Sequence, residues 1–248
     1  MSQLWTEEEN KCLGNYFSGN MSALTLLAKL NKINPTRTYE AMMTKIRHMR
    51  EIGFTRQREN LNKQMRVGYL DIEATQLNAS FGFMLSWCIK TQNKNEYCSG
   101  VVTKKELFDE KFDYRITKEL LIAMKKYDVL YAHYGSDRRF DFPFIRTRAY
   151  VNQLQDMLPN KNELYIGDTY PIARNKLKLH SNRLDAIGEI IGVSAKKTPL
   201  SAKIWQRASY GNKDALKYIS DHNKKDVQLL EQIHLKLEKI ENKTFTSI

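Results

Sequence analysis

Two acidic residues, Asp71 and Glu73, lie two positions apart inside the otherwise apolar segment 68–75. Apolar residues that alternate with acids predict a β-strand, on which side chains two apart share a face. Two neighbouring carboxylates repel each other, and burying them unpaired costs several kcal/mol. A divalent cation removes both penalties, and Mg²⁺ or Mn²⁺ prefers such oxygen ligands. A surface strand with a solvated acidic face is the alternative, because Asp-x-Glu is short and common.

Two further acids stand where a fold could bring them to the same place. Asp141 follows the apolar segment 129–133, which predicts a buried strand, and it opens a predicted helix. Asp226 lies in a long predicted helix, and His222 precedes it by one helical turn, so both face the same side. Considered alone, His222 could be an exposed helix residue, and Asp137 is a rival to Asp141 in the same loop. The combined set is more specific than any part of it.

These segments resemble the three motifs of the DEDD superfamily of 3′–5′ exonucleases. The first motif corresponds to Leu-Asp-Ile-Glu-Ala-Thr at 70–75, the second to Ala-His-Tyr-Gly at 132–135 with Phe-Asp-Phe-Pro-Phe at 140–144, and the third to His-Asn-Lys-Lys-Asp at 222–226. The resemblance covers about residues 67–240. Within the superfamily, this segment is similar to the exonuclease-like domains that are common in bacterial and phage genomes. It implies a ribonuclease H-like fold, in which a mixed α/β sheet is flanked by helices.

The resemblance implies that two metal ions, Mg²⁺ or Mn²⁺, assist hydrolysis of a phosphodiester bond. Asp71 would bridge both ions, and Asp141 would serve one of them. Glu73 and Asp226 would complete the other ion site. His222 would orient or deprotonate the attacking water, and it stands at the spacing where one branch of the superfamily has a tyrosine.

Two residues near the second motif are candidates for holding the nucleic acid. Tyr134 could stack on a terminal base, because aromatic rings bind bases without sequence preference. Arg146 could hold a phosphate, although a single arginine is more often a solvated surface charge. Both assignments depend on the loop of the second motif lying beside the acidic residues.

The N-terminal segment 1–55 predicts a separate domain of three helices. Thr6 and Glu9 predict a capping box at the start of the first helix. The first helix is predicted to end at Gly19-Asn20, and the second is predicted over 21–31. The third is predicted from Thr36 or Thr38 to about Glu51, and Gly53 ends it. The third helix is basic, which favours a polyanionic partner for this domain.

Trp5 with the following Thr-Glu-Glu-Glu, the helix 23–30 and the run Arg37-Thr38…Ala41…Lys45 resemble the Myb/SANT-like family. The resemblance implies a helix-turn-helix domain whose third helix reads the major groove of DNA. The residues that would approach bases or phosphates are Arg37, Thr38, Tyr39, Met42, Met43, Lys45 and Arg47. A protein-docking module, with basic residues that are merely solvated, is the alternative.

The composition favours a nucleic-acid partner. The 248 residues include 40 Lys or Arg and 28 Asp or Glu, a net charge of +12 that is shared between 1–66 and the remainder. Such a surplus favours polyanions, and DNA is expected more than RNA. A membrane is not expected, because no basic amphipathic helix with a clean apolar face stands out. The sequence does not identify a protein partner.

The cysteines and the apolar segments bear on the compartment. Cys12, Cys88 and Cys98 are odd in number and suit neither a zinc site nor a disulfide framework, which fits a reducing environment. No run of about 18 apolar residues is present, and the N-terminus lacks the apolar core of a signal peptide. We therefore expect a soluble, cytoplasmic protein.

The predicted organisation is a helix-turn-helix domain at 1–55, a linker at 56–66 and a ribonuclease H-like domain at 67–248. In the second domain, strands are predicted at 68–75, 81–89, 96–102, 129–133 and 164–168, and helices at 116–126, from 140 onward, at 183–191, 202–209 and 213–239. The function this predicts is a two-metal 3′–5′ exonuclease with a DNA-binding module. A structure-selective endonuclease, an RNA exonuclease and a non-catalytic DNA-binding protein are the alternatives.

Overall fold

The structure is a computed structural model that describes residues 5–17, 23–51, 65–137, 139–160, 162–194, 198–241 and 246–247. Contacts between residues divide the chain into two units, Met1–Gln64 and Met65–Ile248. Three predicted features lie outside the described residues: the end of the first helix at Gly19-Asn20, the end of the third helix at Gly53, and residues 56–64 of the linker.

Three helices form the described part of the N-terminal unit: α1 (Glu7–Phe17), α2 (Ala23–Ile33) and α3 (Tyr39–Glu51). The predicted capping box is confirmed at the start of α1. The Thr6 N–H donates to Glu9 Oε2 at 2.8 Å, and the Glu9 N–H donates to Thr6 Oγ1 at 3.2 Å. The helices pack around a shared apolar core that includes Leu13, Phe17, Leu26, Leu30, Met42 and Ile46.

Glu9 and Arg37 form a buried ion pair inside this unit. Arg37 Nε lies 2.5 Å from Glu9 Oε1, and Arg37 Nη2 lies 2.9 Å from Glu9 Oε2. These bonds from Arg37 hold the pKa of the Glu9 carboxyl at about 2. The Arg37 guanidinium also lies over the ring of Trp5, 4.2 Å from its centre. The prediction that Arg37 contacts nucleic acid is therefore corrected, because its side chain is buried and committed to Glu9.

The second unit contains a mixed sheet. Its strands are β1 (Val67–Ala74), β2 (Met84–Thr91), β3 (Tyr97–Val101), β4 (Val129–Ala132), β5 (Tyr165–Asp168) and β6 (Thr246–Ser247). Among the described residues these six strands run in the order β3-β2-β1-β4-β5-β6. β1 pairs antiparallel with β2 and parallel with β4, and β4 pairs parallel with β5. The predicted mixed α/β sheet is confirmed, with β1 at its centre.

Seven helices of the described chain flank this sheet: α4 (Lys104–Phe108), α5 (Tyr114–Met124), α6 (Asp141–Val151), α7 (Thr169–Lys176), α8 (Leu184–Ile190), α9 (Ala202–Ser209) and α10 (Lys213–Leu237). Alternation along β1 distributes its side chains between two apolar clusters. Leu70 and Ile72 join the cluster that contains residues of α5 and α6. Tyr69 joins the cluster that contains residues of α7, α8 and α10. Asp71 and Glu73 share the parity of Tyr69, so they face the side on which α10 lies.

The helices and strands differ from the prediction where local signals are short. The strand predicted from residue 81 begins at Met84, because 78–82 turn back on themselves and the Gly82 N–H donates to the Asn78 carbonyl at 2.8 Å. Sequence analysis missed α4, α7 and β6, and α4 and β6 have only 5 and 2 residues. Segments this short show no apolar periodicity. None of the described helices is long and apolar enough to cross a membrane.

Candidate active site

Asp71 and Glu73 lie near the carboxyl end of the central strand β1. Glu73 is 9% exposed, whereas Asp71 is partly open to a cleft. The backbone pairing with β2 shifts register between Glu73 and Ala74, immediately after the second acid. Bulges of this kind change the direction of side chains and are common beside functional sites. The two carboxylates therefore meet α10 at the place where the regular strand ends.

Three residues of α10 face these carboxylates. His222, Asn223 and Asp226 are all buried, because they lie on the side of the helix that packs against the sheet. His222 Nε2 lies 3.4 Å from Glu73 Oε1 and 3.5 Å from Asp226 Oδ2. The helical spacing predicted that His222 and Asp226 share one side of the helix, and in the structure that side faces Glu73. The structure does not leave His222 on an exposed helix face.

Asn223 connects the helix to the other acid of β1. Its amide group donates to Asp71 Oδ2 at 2.6 Å. Its carbonyl oxygen accepts a hydrogen bond from the hydroxyl of Ser86 on β2. Sequence analysis missed Asn223, although it lies within the third motif and three positions before Asp226, a spacing that keeps both residues on one side of a helix.

Asp141 is the first residue of α6 and is almost completely buried. Its Oδ1 atom lies 3.4 Å from the backbone nitrogen of Ile72, the residue between the two acids of β1. Burial, followed by the negative charge of Asp71, raises the pKa of Asp141 well above its ordinary value. A shift of this kind indicates a carboxyl held close to other carboxyls in a dry environment.

The rival acid Asp137 lies apart from this cluster. It is exposed and forms an ion pair with Arg146, the residue predicted to hold a phosphate. The structure therefore favours Asp141 over Asp137 as the acid of the second motif. Arg146 is engaged by Asp137, and its side chain is 29% exposed.

Asp168 organises the loop that carries the second motif. Its carboxylate accepts the N–H groups of Tyr134 at 2.9 Å, Ser136 at 3.0 Å and Tyr170 at 2.9 Å. The bond from Tyr170 caps the N-terminus of α7. Arg139 Nε also lies 3.4 Å from Asp168. Asp168 thus fixes the loop backbone, and its charge is one of the causes that raise the pKa of Asp141.

Tyr134 projects its ring from this loop and is 48% exposed. Its φ angle is +64°, a left-handed conformation that is uncommon for a residue with a side chain. Tyr134 lines a cleft together with Tyr170, Asp71 and Asp226. The guanidinium of Arg139 lies 4.9 Å from the Tyr134 ring and 4.3 Å from the Tyr170 ring. An aromatic surface therefore adjoins the acids at this cleft.

A second cleft reaches the same acidic cluster through other residues. Glu73, His222, Thr198 and Trp205 are among the residues that line it. Arg183 and Asp185, at the start of α8, belong to the lining of both clefts. The carboxylates of β1 are thus divided between the clefts: Asp71 lines the first, and Glu73 lines the second.

The residues predicted to contact DNA in the N-terminal unit differ in accessibility. Tyr39 and Arg47 are exposed on α3, and Lys45 is partly exposed. Met42 is fully buried in the core, so its predicted approach to DNA is corrected. Lys45 Nζ lies 5.9 Å from the centre of the Trp5 ring.

The donor atoms of the cluster suit a divalent cation. Glu73, His222 and Asp226 each offer one ligand atom, and these atoms all lie within 4.8 Å of one another. Carboxylate oxygen and imidazole nitrogen are common ligands of divalent metal ions. A cation would also offset the repulsion between carboxylates that burial intensifies.

The fold and the site together define a class: an α/β protein with buried carboxylates and an imidazole where a central strand meets a long helix. The chain belongs to the RNase H superfamily, because the family model of that description matches residues 68–238. This membership points to nuclease-type activity on nucleic acid, and RNase H-like nucleases generally use divalent metal ions. No curated protein matches the chain significantly.

Proposed function

We propose that this protein is a metal-dependent 3′–5′ exonuclease that hydrolyses phosphodiester bonds, with DNA as its expected substrate. The observation that supports the proposal is the proximity of acids from distant segments: Glu73 and Asp226 converge on His222, and the charge of Asp71 acts on the buried Asp141. Asp71 and Glu73 come from β1, Asp141 from α6 and Asp226 from α10. Acids that are gathered from distant segments, and of which three are buried, favour a metal-assisted reaction over a purely structural role.

The four carboxylates would hold the metal ions. Bound divalent ions supply an activated water and stabilise the oxygen that leaves the phosphate. Asn223 orients the carboxylate of Asp71 by its 2.6 Å hydrogen bond. The ring of Tyr134, in the cleft beside Asp71, is suited to stacking on the terminal base.

The N-terminal unit would supply affinity for duplex DNA. Residues 1–66 carry 11 basic and 6 acidic residues, so this part of the chain is basic. Tyr39, Lys45 and Arg47 lie on one helix and are at least partly accessible. Electrostatic attraction to phosphates requires accessible cations, which supports Lys45 and Arg47 and argues against Arg37.

A cleavage assay on end-labelled oligonucleotides tests the proposal. Single-stranded and duplex substrates of DNA and RNA, labelled at the 5′ end, are incubated with Mg²⁺, Mn²⁺ or EDTA. We expect a metal-dependent ladder that shortens from the 3′ end. Discrete internal products would indicate an endonuclease, and RNA-only cleavage would indicate an RNA exonuclease. Tight binding to DNA without cleavage under any of these conditions would indicate a non-catalytic DNA-binding protein.

A matched pair of variants on one helix assigns the activity to the site. Asp226→Asn removes a buried carboxylate that faces β1, and Asp221→Asn removes an exposed one five positions earlier. We expect Asp226→Asn and Asp71→Asn to abolish cleavage and Asp221→Asn to retain it. Equal activity of the Asp226→Asn and Asp221→Asn proteins would show that the acids of α10 are not part of the active site.

A further inference from the structure

We infer that His222 is itself a metal ligand, so that one cation is held by an imidazole nitrogen together with the carboxylates of Glu73 and Asp226. The inference refines the site of the proposed function and rests on it for the presence of a metal. It replaces the role in which His222 takes a proton from the attacking water. The argument depends on the distances in the cluster, on the other ring nitrogen and on burial.

The distances leave room for an ion between the three side chains. His222 Nε2 lies 3.4 Å from Glu73 Oε1 and 3.5 Å from Asp226 Oδ2. For metal–ligand bonds of about 2.1 Å, neighbouring ligand atoms are about 3.0 Å apart in an octahedron and about 3.4 Å apart in a tetrahedron. The two separations from His222 Nε2 therefore match adjacent ligands in the tetrahedral case, and all three ligand atoms lie within 4.8 Å of one another.

The second ring nitrogen of His222 is held as in many metal sites. Nδ1 lies 3.0 Å from the hydroxyl oxygen of Thr198. When Nδ1 carries the proton and donates it to Thr198, the lone pair of Nε2 points at Glu73 and Asp226. Metal-bound histidines commonly use such a bond to fix the orientation of the ring and to select the tautomer.

Burial favours coordination over proton transfer. His222 is 1% exposed, and Asp226 is 3% exposed. A general base must reach the water that it deprotonates. The Nε2 atom of the ring lies beside two carboxylates, so a cation at that point meets the nitrogen in the position that it already occupies.

A nitrogen ligand changes the metal preference of the site. Mg²⁺ favours oxygen ligands, whereas imidazole is a good ligand for transition-metal ions. We therefore expect the site to select a transition-metal ion over Mg²⁺ more strongly than a site made only of carboxylates. Mn²⁺ serves as the spectroscopic probe, because its unpaired electrons report directly on nitrogen nuclei in contact with it.

Pulsed electron paramagnetic resonance of the full chain with Mn²⁺ tests the inference. We expect a nitrogen coupling in the wild-type protein that changes when histidine is labelled with ¹⁵N. His222→Gln should remove the coupling and weaken Mn²⁺ binding by about tenfold or more, with a smaller effect on Mg²⁺. His180→Gln is the matched control, because His180 is exposed in the cleft of Asp71 and Asp226. It should retain the coupling.

Three outcomes would overturn the inference: no Mn²⁺ binding to the wild-type protein, Mn²⁺ binding without a histidine coupling, or a coupling that disappears in His180→Gln and persists in His222→Gln. The isotope result on the wild-type protein stands even when His222→Gln fails to fold. Cleavage of DNA without a histidine coupling would refute this inference alone. A histidine coupling without cleavage would refute the proposed nuclease function alone.

Discussion

Asn223 lies between Ser86 on β2 and Asp71 on β1 and is completely buried. It carries no charge, yet its two hydrogen bonds determine how the carboxylate of Asp71 is oriented. A buried amide that joins two strands to a helix must have both ends satisfied, because each unpaired end would cost about 1–3 kcal/mol. Asn223 is therefore a positioning residue for the candidate metal site.

Replacing Asn223 by alanine should affect both stability and cleavage. We expect the free energy of unfolding to fall by about 1–3 kcal/mol, because Ser86 and Asp71 lose a buried partner. We expect cleavage to slow by up to about 100-fold, because a displaced Asp71 would no longer hold its carboxylate in the position that the reaction requires. Denaturant unfolding and the oligonucleotide assay measure these effects. Asn175→Ala, at an exposed position of α7, should change neither.

Glu9 makes the stability of the N-terminal unit depend on pH. Its pKa is lowered from 4.5 to about 2 by the bonds from Arg37. The contribution of a carboxyl with a lowered pKa is complete above the unfolded value and is lost as the pH falls through the folded value. We expect the unit to lose stability between pH 4.5 and about 2. Amide hydrogen exchange in α1 measures this loss.

Glu9→Gln tests whether this carboxyl causes the pH dependence. The amide cannot titrate, so the loss of stability over that pH range should be much smaller. Glu8→Gln, at the exposed neighbouring position, should preserve the wild-type profile. A profile that is the same in the Glu9→Gln protein and the wild type would assign the acid sensitivity to another group.

At the scale of elements, β1 and α10 carry most of the site, and both were predictable. Period-two alternation placed Asp71 and Glu73 on one face of a strand, and the one-turn spacing placed His222 beside Asp226. Contacts between distant segments leave no periodic pattern in the sequence, so they could not be predicted in this way. Asn223 and Asp71 are 152 positions apart, and Arg37 and Glu9 are 28 apart. Arg37 consequently resembled a DNA contact by sequence, although the fold commits it to Glu9.

Gly135 connects β4 to α6 by a close approach of the backbone. A methyl group added there would lie 2.4 Å from Ala132 Cβ and 2.7 Å from Asp141 Oδ2, too close for atoms in contact. We expect Gly135→Ala to cost about 1–3 kcal/mol of stability and to displace Asp141, which lowers the cleavage rate. Thermal unfolding and the cleavage assay report the two effects.

Gly14→Ala is the control for this change. An added methyl group at Gly14 would meet no atom within 4 Å, and the position lies inside α1. Alanine stabilises a helix interior by about 0.5–1 kcal/mol relative to glycine. A Gly135→Ala protein with unchanged stability and activity would show that the loop has room for the methyl group.

At the scale of the whole molecule, a net charge of +12 accompanies a candidate active-site cluster that is acidic. The positive surplus attracts the polyanion over long distances, whereas the carboxylates require a metal ion before a phosphate can approach them. In the proposed function, the positive surplus that both parts of the chain share provides affinity, and the carboxylates of the second unit provide hydrolysis.

Charge reversal on α3 tests the role of the N-terminal unit. Lys45→Glu with Arg47→Glu should weaken duplex binding and make it less sensitive to salt, because each lost phosphate contact lowers the salt slope by about 1. Fluorescence anisotropy at several salt concentrations measures the slope. Cleavage of short single strands should persist. Unchanged duplex affinity would favour a protein-docking unit.

The third motif lies on α10, and its Asn223 must reach back 152 positions to Asp71. During synthesis, β1 and α6 leave the ribosome well before α10 does. A growing chain therefore lacks Asp226 and has an incomplete set of carboxylates until translation has passed this helix. Under the proposed function, a nascent polypeptide cannot cut nucleic acid beside the ribosome, and truncated products of interrupted translation that end before α10 lack nuclease activity.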